Sequence, residues 1–438
     1  MKRIYLILLL SVLSLISFAE RPVSDSLRTD STGGCNAIPD IIRSEKNAVT
    51  FQSEYFFGSN ALTIDLASTY FNNGFINDGM KDVVSGKLKT SNNFGAGFNY
   101  ELNYRRSPDS LFGTKFSYYQ VGFRDVYHLD ARFNRDVFEL YFRGNKKYAG
   151  QTADIGDFEF KQLFYQQLYF TFGHQVMNNG DYISFDKDRF EYSVGLSFNK
   201  GHKLLTIEAI DASLFTQQDG EYLDLDADLE IHRNDSAKND KIAFNGIGGS
   251  IDLYFKWTDK KCRQLEFTAK NLGLIAWNNQ SSYVAADTSF RFEGVDISDL
   301  FDFTDSVTNT VSLDSSLVEP YLTNRTKKSH NTLLPALIKL KYSLPVKKIK
   351  TIMSTEVGYL LYANCKPYIR QTFQYRINSV HSVGLSLSYG GYSNFNVGLN
   401  YELRLKNWNF QLKSDAITGY FMKDATSQGA FVSLSKYF

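Results

Sequence analysis

The chain has 438 residues, 22% of them charged, and a formal net charge of +1. That balance supplies neither a basic surface for nucleic acid nor a strongly acidic one, and no partner class follows from it. A mean hydropathy of −0.29 would pass for a water-soluble protein, yet 15% of the residues are aromatic and only seven are proline. This mixture suits strands that alternate an apolar with a polar face and so hide their apolarity from averages.

Met1-Lys2-Arg3 is a short basic head, Ile4 to Ile16 an almost wholly apolar run, and Ser17-Phe18-Ala19 a small-x-small cleavage site. Residues 1–19 therefore read as a secretory signal peptide, with Glu20 the expected start of the mature chain. The run is too short for a stable membrane helix, and no later one reaches the ~18 residues such a helix needs. Cys35 lies too far beyond it to be a lipoprotein acceptor. Cys35, Cys262 and Cys365 are an odd count without CxxC spacing, which allows one disulfide and supports neither a disulfide framework nor a zinc site. Residues 20–58 are expected to form a polar periplasmic N-terminal segment, with Ala48 to Phe57 a short first strand or a plug element.

From residue 59 onward, period-two alternation recurs. Phe94, Ala96, Phe98, Tyr100, Leu102 and Tyr104 oppose Asn93, Gly95, Gly97, Asn99, Glu101 and Asn103. Phe190 to Phe198 opposes Glu191 to Asn199 in the same way, and Ile251-Leu253-Phe255-Trp257 opposes Ser250, Asp252 and Lys256. Leu265-Phe267-Ala269, Ile338-Leu340-Tyr342, Val383 to Tyr389, Phe395 to Leu403 and Trp408-Phe410-Leu412 repeat it. A soluble sandwich also alternates. Here, however, the polar parity is rich in Gly, Ser and Asn, as a lumen wall that keeps space for water would be, and aromatics gather towards strand ends as in interfacial girdles. The expected fold is all-β: a transmembrane antiparallel β-barrel of 14–16 strands over residues 59–438, with long extracellular loops. Closure also removes the exposed edges of so long a sheet.

The last ten residues, Gly429 to Phe438, close the pattern: Val432, Leu434 and Phe438 share one parity, Ser433 and Ser435 the other. A terminal strand closing on Phe resembles the end that the barrel-assembly machinery of the bacterial outer membrane reads, which makes Leu434 and Phe438 the candidate assembly residues. With Phe438 periplasmic, Leu403 to Asn407, Tyr375 to Asn378, Pro345 to Lys348 and Thr258 to Lys261 become short periplasmic turns. Leu272 to Leu333, Asn72 to Asn92 and Asp125 to Gly156 fall outside. Asn199-Lys200-Gly201-His202 reads as a tight turn on the outer side. Short outer helices are expected at Asn72 to Ser85 and Gly294 to Phe301.

Several short runs resemble a Bacteroidota outer-membrane barrel family of uncharacterised function. They are Phe142-Arg143-Gly144-Asn145 through Tyr148-Ala149-Gly150-Gln151, Asn271-Leu272-Gly273-Leu274-Ile275-Ala276-Trp277, Phe292-Glu293-Gly294-Val295-Asp296, Leu334-Pro335 and Tyr389-Gly390-Gly391-Tyr392. The resemblance implies a barrel of the broad fatty-acid-transporter-like or type IX secretion accessory kind and carries no catalytic residue with it. Unlike long-chain fatty-acid transporters, the chain lacks a clear apolar N-terminal hatch helix.

Candidate chemistry is sparse. Asp224, Asp226, Asp228, Glu230 and His232 would line one face of a strand, with neighbours ~6.6 Å apart. Such a row repels itself unless cations or basic side chains of adjacent strands face it, so it is either a solvated face or a weak candidate cation site. The six histidines are scattered, adjacent His381 and Ser382 point to opposite faces, and GxSxG, HExxH and phosphate-loop patterns are missing. Gly246-Ile247-Gly248-Gly249 reads as barrel strand rather than nucleotide loop. The sequence thus predicts a monomeric barrel in the bacterial outer membrane, without enzymatic activity, cofactor or nucleic-acid partner. Its role is porin-like, passing or holding a small solute. The alternative is a non-channel accessory or scaffold subunit whose partners are envelope or secretion-complex proteins.

Overall fold

The computed structural model describes residues 47–111, 113, 117–177, 188–234, 244–293 and 326–438. In chain order the strands are β1 (Asn47–Ser59), β2 (Asn92–Arg106), β3 (Ser117–Phe133), β4 (Gln151–Asp154), β5 (Phe158–Met177), β6 (Arg189–Thr216), β7 (Tyr222–Arg233), β8 (Gly246–Thr258), β9 (Gln264–Trp277) and β10 (Ser282–Glu293). They continue as β11 (Thr326–Lys327), β12 (His330–Leu333), β13 (Ala336–Val346), β14 (Thr351–Leu361), β15 (Lys366–Arg376), β16 (His381–Gly391), β17 (Ser393–Arg404), β18 (Trp408–Ser414) and β19 (Ser427–Tyr437). Fourteen of them, all but β4, β7 and β10 to β12, form a closed antiparallel barrel, the architecture of outer-membrane proteins. The ring closes where β1 pairs with β19 from Ala48–Tyr437 to Gly58–Ser427.

The wall therefore begins at Asn47 and not at residue 59, because Ala48 to Phe57 is a full wall strand between β2 and β19. The strand number falls at the lower bound of the expected range. Asn199 to His202 is no turn. It lies inside β6, where Lys200 and Gly201 pair with both β5 and β8, and His202 is the extra residue of a bulge against Phe164 and Tyr165. Asp125 to Phe133 likewise belongs to the wall as the second half of β3, since all of it pairs with β2. The rim that holds Asn47 and Phe438, here the near rim, carries short turns such as 347–350, 377–380 and 405–407. The longest connections, those from β1 to β2, β3 to β5 and β9 to β13, lie at the opposite, far rim.

β6 explains much of the far rim. At ~3.3–3.4 Å per residue its 28 residues reach roughly 90 Å, far longer than one leaf of the wall requires. Its first half pairs with β8, its second half with β7, and the change of partner is bridged by two buried asparagines. Asn234 Nδ2 donates to His202 O at 2.8 Å, Asn245 Nδ2 to the same carbonyl at 2.7 Å, and Leu204 N–H to Asn234 Oδ1 at 2.7 Å. Backbone groups that the splitting ladder leaves without partners are thereby satisfied. Above the split, β4, β7 and β10 build on β6 outside the ring.

Three helices complete this cap: α1 (Ile64–Phe71), α2 (Asp78–Ser85) and α3 (Arg135–Arg143). Thr63, Asn77 and Asn134 cap them by accepting from Leu66 N, Met80 N and Val137 N. Asp65, Asp78 and Asp136 stand in their positive first turns. Leu66, Val84, Leu88, Phe133 and Phe138 pack as one apolar core, and Leu140, Tyr148, Ala153, Leu214 and Leu223 as a second. The expected helix at Asn72 to Ser85 is thus half right, beginning at Asp78. The one at Gly294 to Phe301 lies outside the described residues.

Outward, the apolar parity forms a belt: Leu196 is 60% exposed, Leu168 58% and Phe170 50%. An exposed apolar surface of this extent needs lipid against it. Among the described residues no helix is long and apolar enough to cross a membrane. Inward, the small residues do not simply keep space for water. Rings lie over them: Phe56 over Gly97, Tyr169 over Gly122, Tyr118 over Gly173, Tyr368 over Gly358, Tyr392 over Gly95 and Trp277 over Gly201, each where a Cβ would collide. Replacing Leu196 by Arg is expected to cost the refolded barrel ~2–4 kcal/mol in a bilayer, the penalty for a midplane charge on a lipid face. Chemical unfolding in vesicles measures this, and an unchanged midpoint would place Leu196 away from lipid.

Candidate functional site

Charges from many strands converge in the interior. Arg124 on β3, 8% exposed, donates from Nε to Glu101 Oε2 on β2 at 2.9 Å and from Nη1 to Gln167 Oε1 on β5 at 3.0 Å. The same Nη1 lies 3.4 Å from Asn271 Oδ1 on β9 and 3.7 Å from Asp252 Oδ2 on β8, contacts that cut across the interior rather than along the wall. Gln167, fully buried, donates to Asn199 at 2.9 Å, Ser250 at 3.2 Å and Asn271 at 3.2 Å. Asn271 holds a left-handed φ of +61°, and its N–H donates to Asp252 Oδ1 at 2.7 Å, which fixes the bulge that brings both groups inward. A buried ion set of this kind is stable only while all partners remain; removing one typically costs ~3–5 kcal/mol.

Towards the far rim lies an apolar layer of Val126, Leu163, Tyr165, Leu204, Ile275, Trp277 and Leu334. Trp277, 1% exposed, donates from Nε1 to Thr332 Oγ1 at 3.1 Å. The far mouth on the other side is crossed by two inward-folded hairpin ends. Gly390 and Gly391, at φ +101° and +73°, turn Tyr392 into the barrel, stacked on Phe56 with ring centroids 6.0 Å apart. Asn364 Nδ2 donates to the fully buried Asp130 at 2.6 Å, Asn93 Nδ2 donates to Asn364 O at 2.9 Å, and His128 Nε2 meets Asp130 at 2.6 Å. The β14–β15 and β16–β17 ends are thereby tied to β2 and β3.

The remaining half of the interior is more open. Arg370 donates to Asp415 at 2.9 Å and Glu356 at 3.2 Å, Lys413 pairs with Asp415 at 2.9 Å, and Lys339 lies 3.7 Å from Glu356. Glu54 on β1 and Lys270 on β9 face the same space. Both are exposed although they point inward, so the surface they present is interior surface, and among the described residues neither forms an ion pair. Sequence reasoning missed Glu54, Lys270, Arg124 and Arg370. Their only signal was a charged residue on the polar parity of a strand.

The acidic row sits on β7, outside the ring, as a strand with one polar face. It is held by its neighbours: Arg291 on β10 grips Asp224 with two bonds of 2.7 and 2.8 Å, Ser289 donates to Asp226 at 3.1 Å, and Tyr283 donates to Glu230 at 3.3 Å. The Arg291 contact holds the Asp224 carboxyl below its ordinary range. Among the described residues no three His, Cys, Asp or Glu side chains are placed to hold a metal ion. Leu434 faces outward between Phe51 and Phe410, and Phe438 exchanges backbone bonds with Asn47 at 3.0 and 3.1 Å at the near rim. Cys262 is disulfide-bonded, and Cys365 is a free thiol that burial pushes up to about 12, an unreactive state. His381 bonds Tyr401 while Ser382 bonds Glu402 on the other face.

A second feature that the sequence did not signal is a ring sandwich beside the row. His232 stacks on His330 with centroids 3.8 Å apart and on Tyr283 at 4.6 Å. Burial, then the charge of His330, lowers the His232 pKa to about 4, with Glu230 opposing and Lys328 reinforcing. The folded pKa lies below the unfolded ~6.5, so the stack contributes fully above about pH 6.5 and is lost as pH falls towards 4. In His330→Ala the His232 midpoint should rise towards 6.5. An NMR titration of the His232 ring reads this, and an unmoved midpoint would remove His330 as a cause.

The runs that signalled a family resemblance are structural. Phe142 to Gln151 ends α3 and leads into β4, with Gly144 and Gly150 at φ +74° and +72° and Tyr148 donating to Asp136 at 2.8 Å. Asn271, Ile275, Trp277, Leu334 and, on its Gly390–Gly391 turn, Tyr392 build the interior described above. Among solved structures, the P. putida toluene transporter TodX is similar at 9% identity and a TM-score of 0.42, over 92% of this chain and 91% of that one. A TodX deltaS2S3 mutant channel reaches 0.44 at 9% identity, over 90% and 91%. The translocator domain of the autotransporter NalP from Neisseria meningitidis reaches 0.29 at 7%, over 91% and 90%. No curated protein sequence matches the chain. Residues 46–415 match the Family of unknown function (DUF5723), and with most of its length covered the chain belongs to that family.

Proposed function

We propose that this protein is a bacterial outer-membrane barrel that holds or passes a small, polar, charged solute through an interior chamber, without catalysing a reaction on it and without standing open as a pore. The near rim is then periplasmic and the far rim, with its cap, outermost. The terminal strand through Leu434 and Phe438 serves as the assembly signal. One observation carries this reading: Glu54 and Lys270 present opposite charges, free of ion pairs among the described residues, to an accessible interior at mid-wall. Ionisable groups at membrane depth are expensive and are kept where they meet a solute or an ion path. Filling of the β2–β9 half and the Tyr392 and Asn364 ties at the far mouth support a chamber rather than a pore.

The accessory-subunit reading rests on a different observation, the folded cap with Phe75 87% exposed in the turn between α1 and α2. The two separate in a planar bilayer and a mild-detergent pull-down. The transport reading expects a nearly silent wild-type barrel, steady conductance from Asn364→Ala/Tyr392→Ala, and ion selectivity in that variant that changes with Glu54→Gln. A silent double variant, together with stoichiometric co-purification of envelope proteins by the wild type, would replace it with the accessory reading.

A further inference from the structure

A groove of about 450 Å³ lies at the far rim, where β17 and the β18–β19 loop meet the segments that follow β1 and α2. Its apolar side is Phe395 and Met422, which are 61% and 52% exposed. Phe395 belongs to the outward parity of β17, so this side continues the lipid-facing belt. Its polar edge carries Lys87 and Lys89, which follow α2, and Asp424 from the loop between β18 and β19. Among the described residues none of these three charges forms an ion pair.

The groove is preformed. Ser59 N–H donates to Thr426 O at 2.8 Å, Ile64 N–H to Ala425 O at 2.7 Å and Asp65 N–H to Lys423 O at 3.0 Å, which pins the β18–β19 loop to the start of α1. Asn394 Nδ2 donates to Asn60 O at 3.3 Å and joins β17 to the same wall. Little ordering cost remains for a ligand.

We infer that this groove binds a phosphorylated lipid of the surrounding leaflet, its phosphate at Lys87 and Lys89 and an acyl chain along Phe395 and Met422. A lysine close to a membrane surface attracts an anionic headgroup, and here two share a groove with exposed apolar side chains, Phe395 among them on the outward parity. The single carboxylate, Asp424, steers the phosphate to the lysine side of the groove. The inference rests on the reading that the far rim lies at a membrane surface.

The test uses the purified full barrel in detergent, with bis-phosphorylated lipid A as the probe and native mass spectrometry as the readout. One bound lipid is expected, weakened about tenfold or more in Lys87→Ala/Lys89→Ala. Phe395→Ala should weaken it as well, while the fully dephosphorylated lipid should bind as poorly as the lysine variant. Equal binding by wild type and lysine variant, or by the two lipids, would overturn the proposal. So would full competition by millimolar inorganic phosphate, which would make the groove a free-anion site. Heat-modifiable migration after insertion into vesicles is read in parallel. A barrel that inserts but binds no lipid defeats the groove alone, whereas one that never inserts defeats the membrane reading beneath it.

Discussion

The interior of this barrel depends on rings that lie over glycines. A closed wall of fourteen strands encloses more space than ordinary polar side chains fill. Here aromatic residues project inward, and most lie directly across from a glycine on the neighbouring strand: Phe56 and Gly97, Tyr169 and Gly122, Tyr118 and Gly173, Tyr368 and Gly358. The missing Cβ leaves room for the ring against the partner strand, burying apolar area, and where the ring is a tyrosine its hydroxyl can reach a polar group. Tyr169 thus donates to Glu101, and Tyr368 to Glu356 at 2.9 Å. Arg124 reaches β8 and β9 from β3 because the bulge there turns Asp252 and Asn271 inward.

This filling divides the interior into unlike parts. Around Arg124 the polar groups are mutually satisfied, a condition under which burial of charge is tolerated and strongly resists change. Among the described residues Glu54 and Lys270 have no ion-pair partner, and in the proposed chamber a solute would take that place. The far mouth is shaped by the same devices, with Tyr392 seated over Gly95 and Asp130 gathering Asn364 and His128.

Much of the wall was legible because alternation is local. A period of two needs only the residues themselves, so β2, β8, β16, β17 and β19 follow the sequence pattern, and the near-rim turns fall within a few residues of expectation. β6 was misread because Asn199-Lys200-Gly201-His202 has turn chemistry, while the groups that keep it extended, Asn234 and Asn245, lie more than thirty residues away. The glycines were read as space for water for a similar reason. Which ring covers Gly95 is decided by Tyr392, almost three hundred residues on, and no local pattern carries that information. Of the candidate site, the acidic row was placed correctly on one strand face. Its partners Arg291 and Ser289 depend on the pairing of β7 with β10, and the His232–His330 stack on bringing β12, a partner of β9, against β7; sequence spacing encodes neither.

If Glu54 and Lys270 line the proposed chamber and the Tyr392 and Asn364 ties shut its far mouth, a solute reaches them from the near rim alone. Single cysteines at these positions, placed in a Cys365→Ser background, can be treated with a membrane-impermeant maleimide applied to intact cells and to osmotically opened cells. Labelling of Glu54→Cys and Lys270→Cys is then expected only after opening, together with labelling of an exposed cap position such as Phe75→Cys in both. Rapid labelling of the two interior positions on intact cells would show a mouth open to the outside and contradict this expectation.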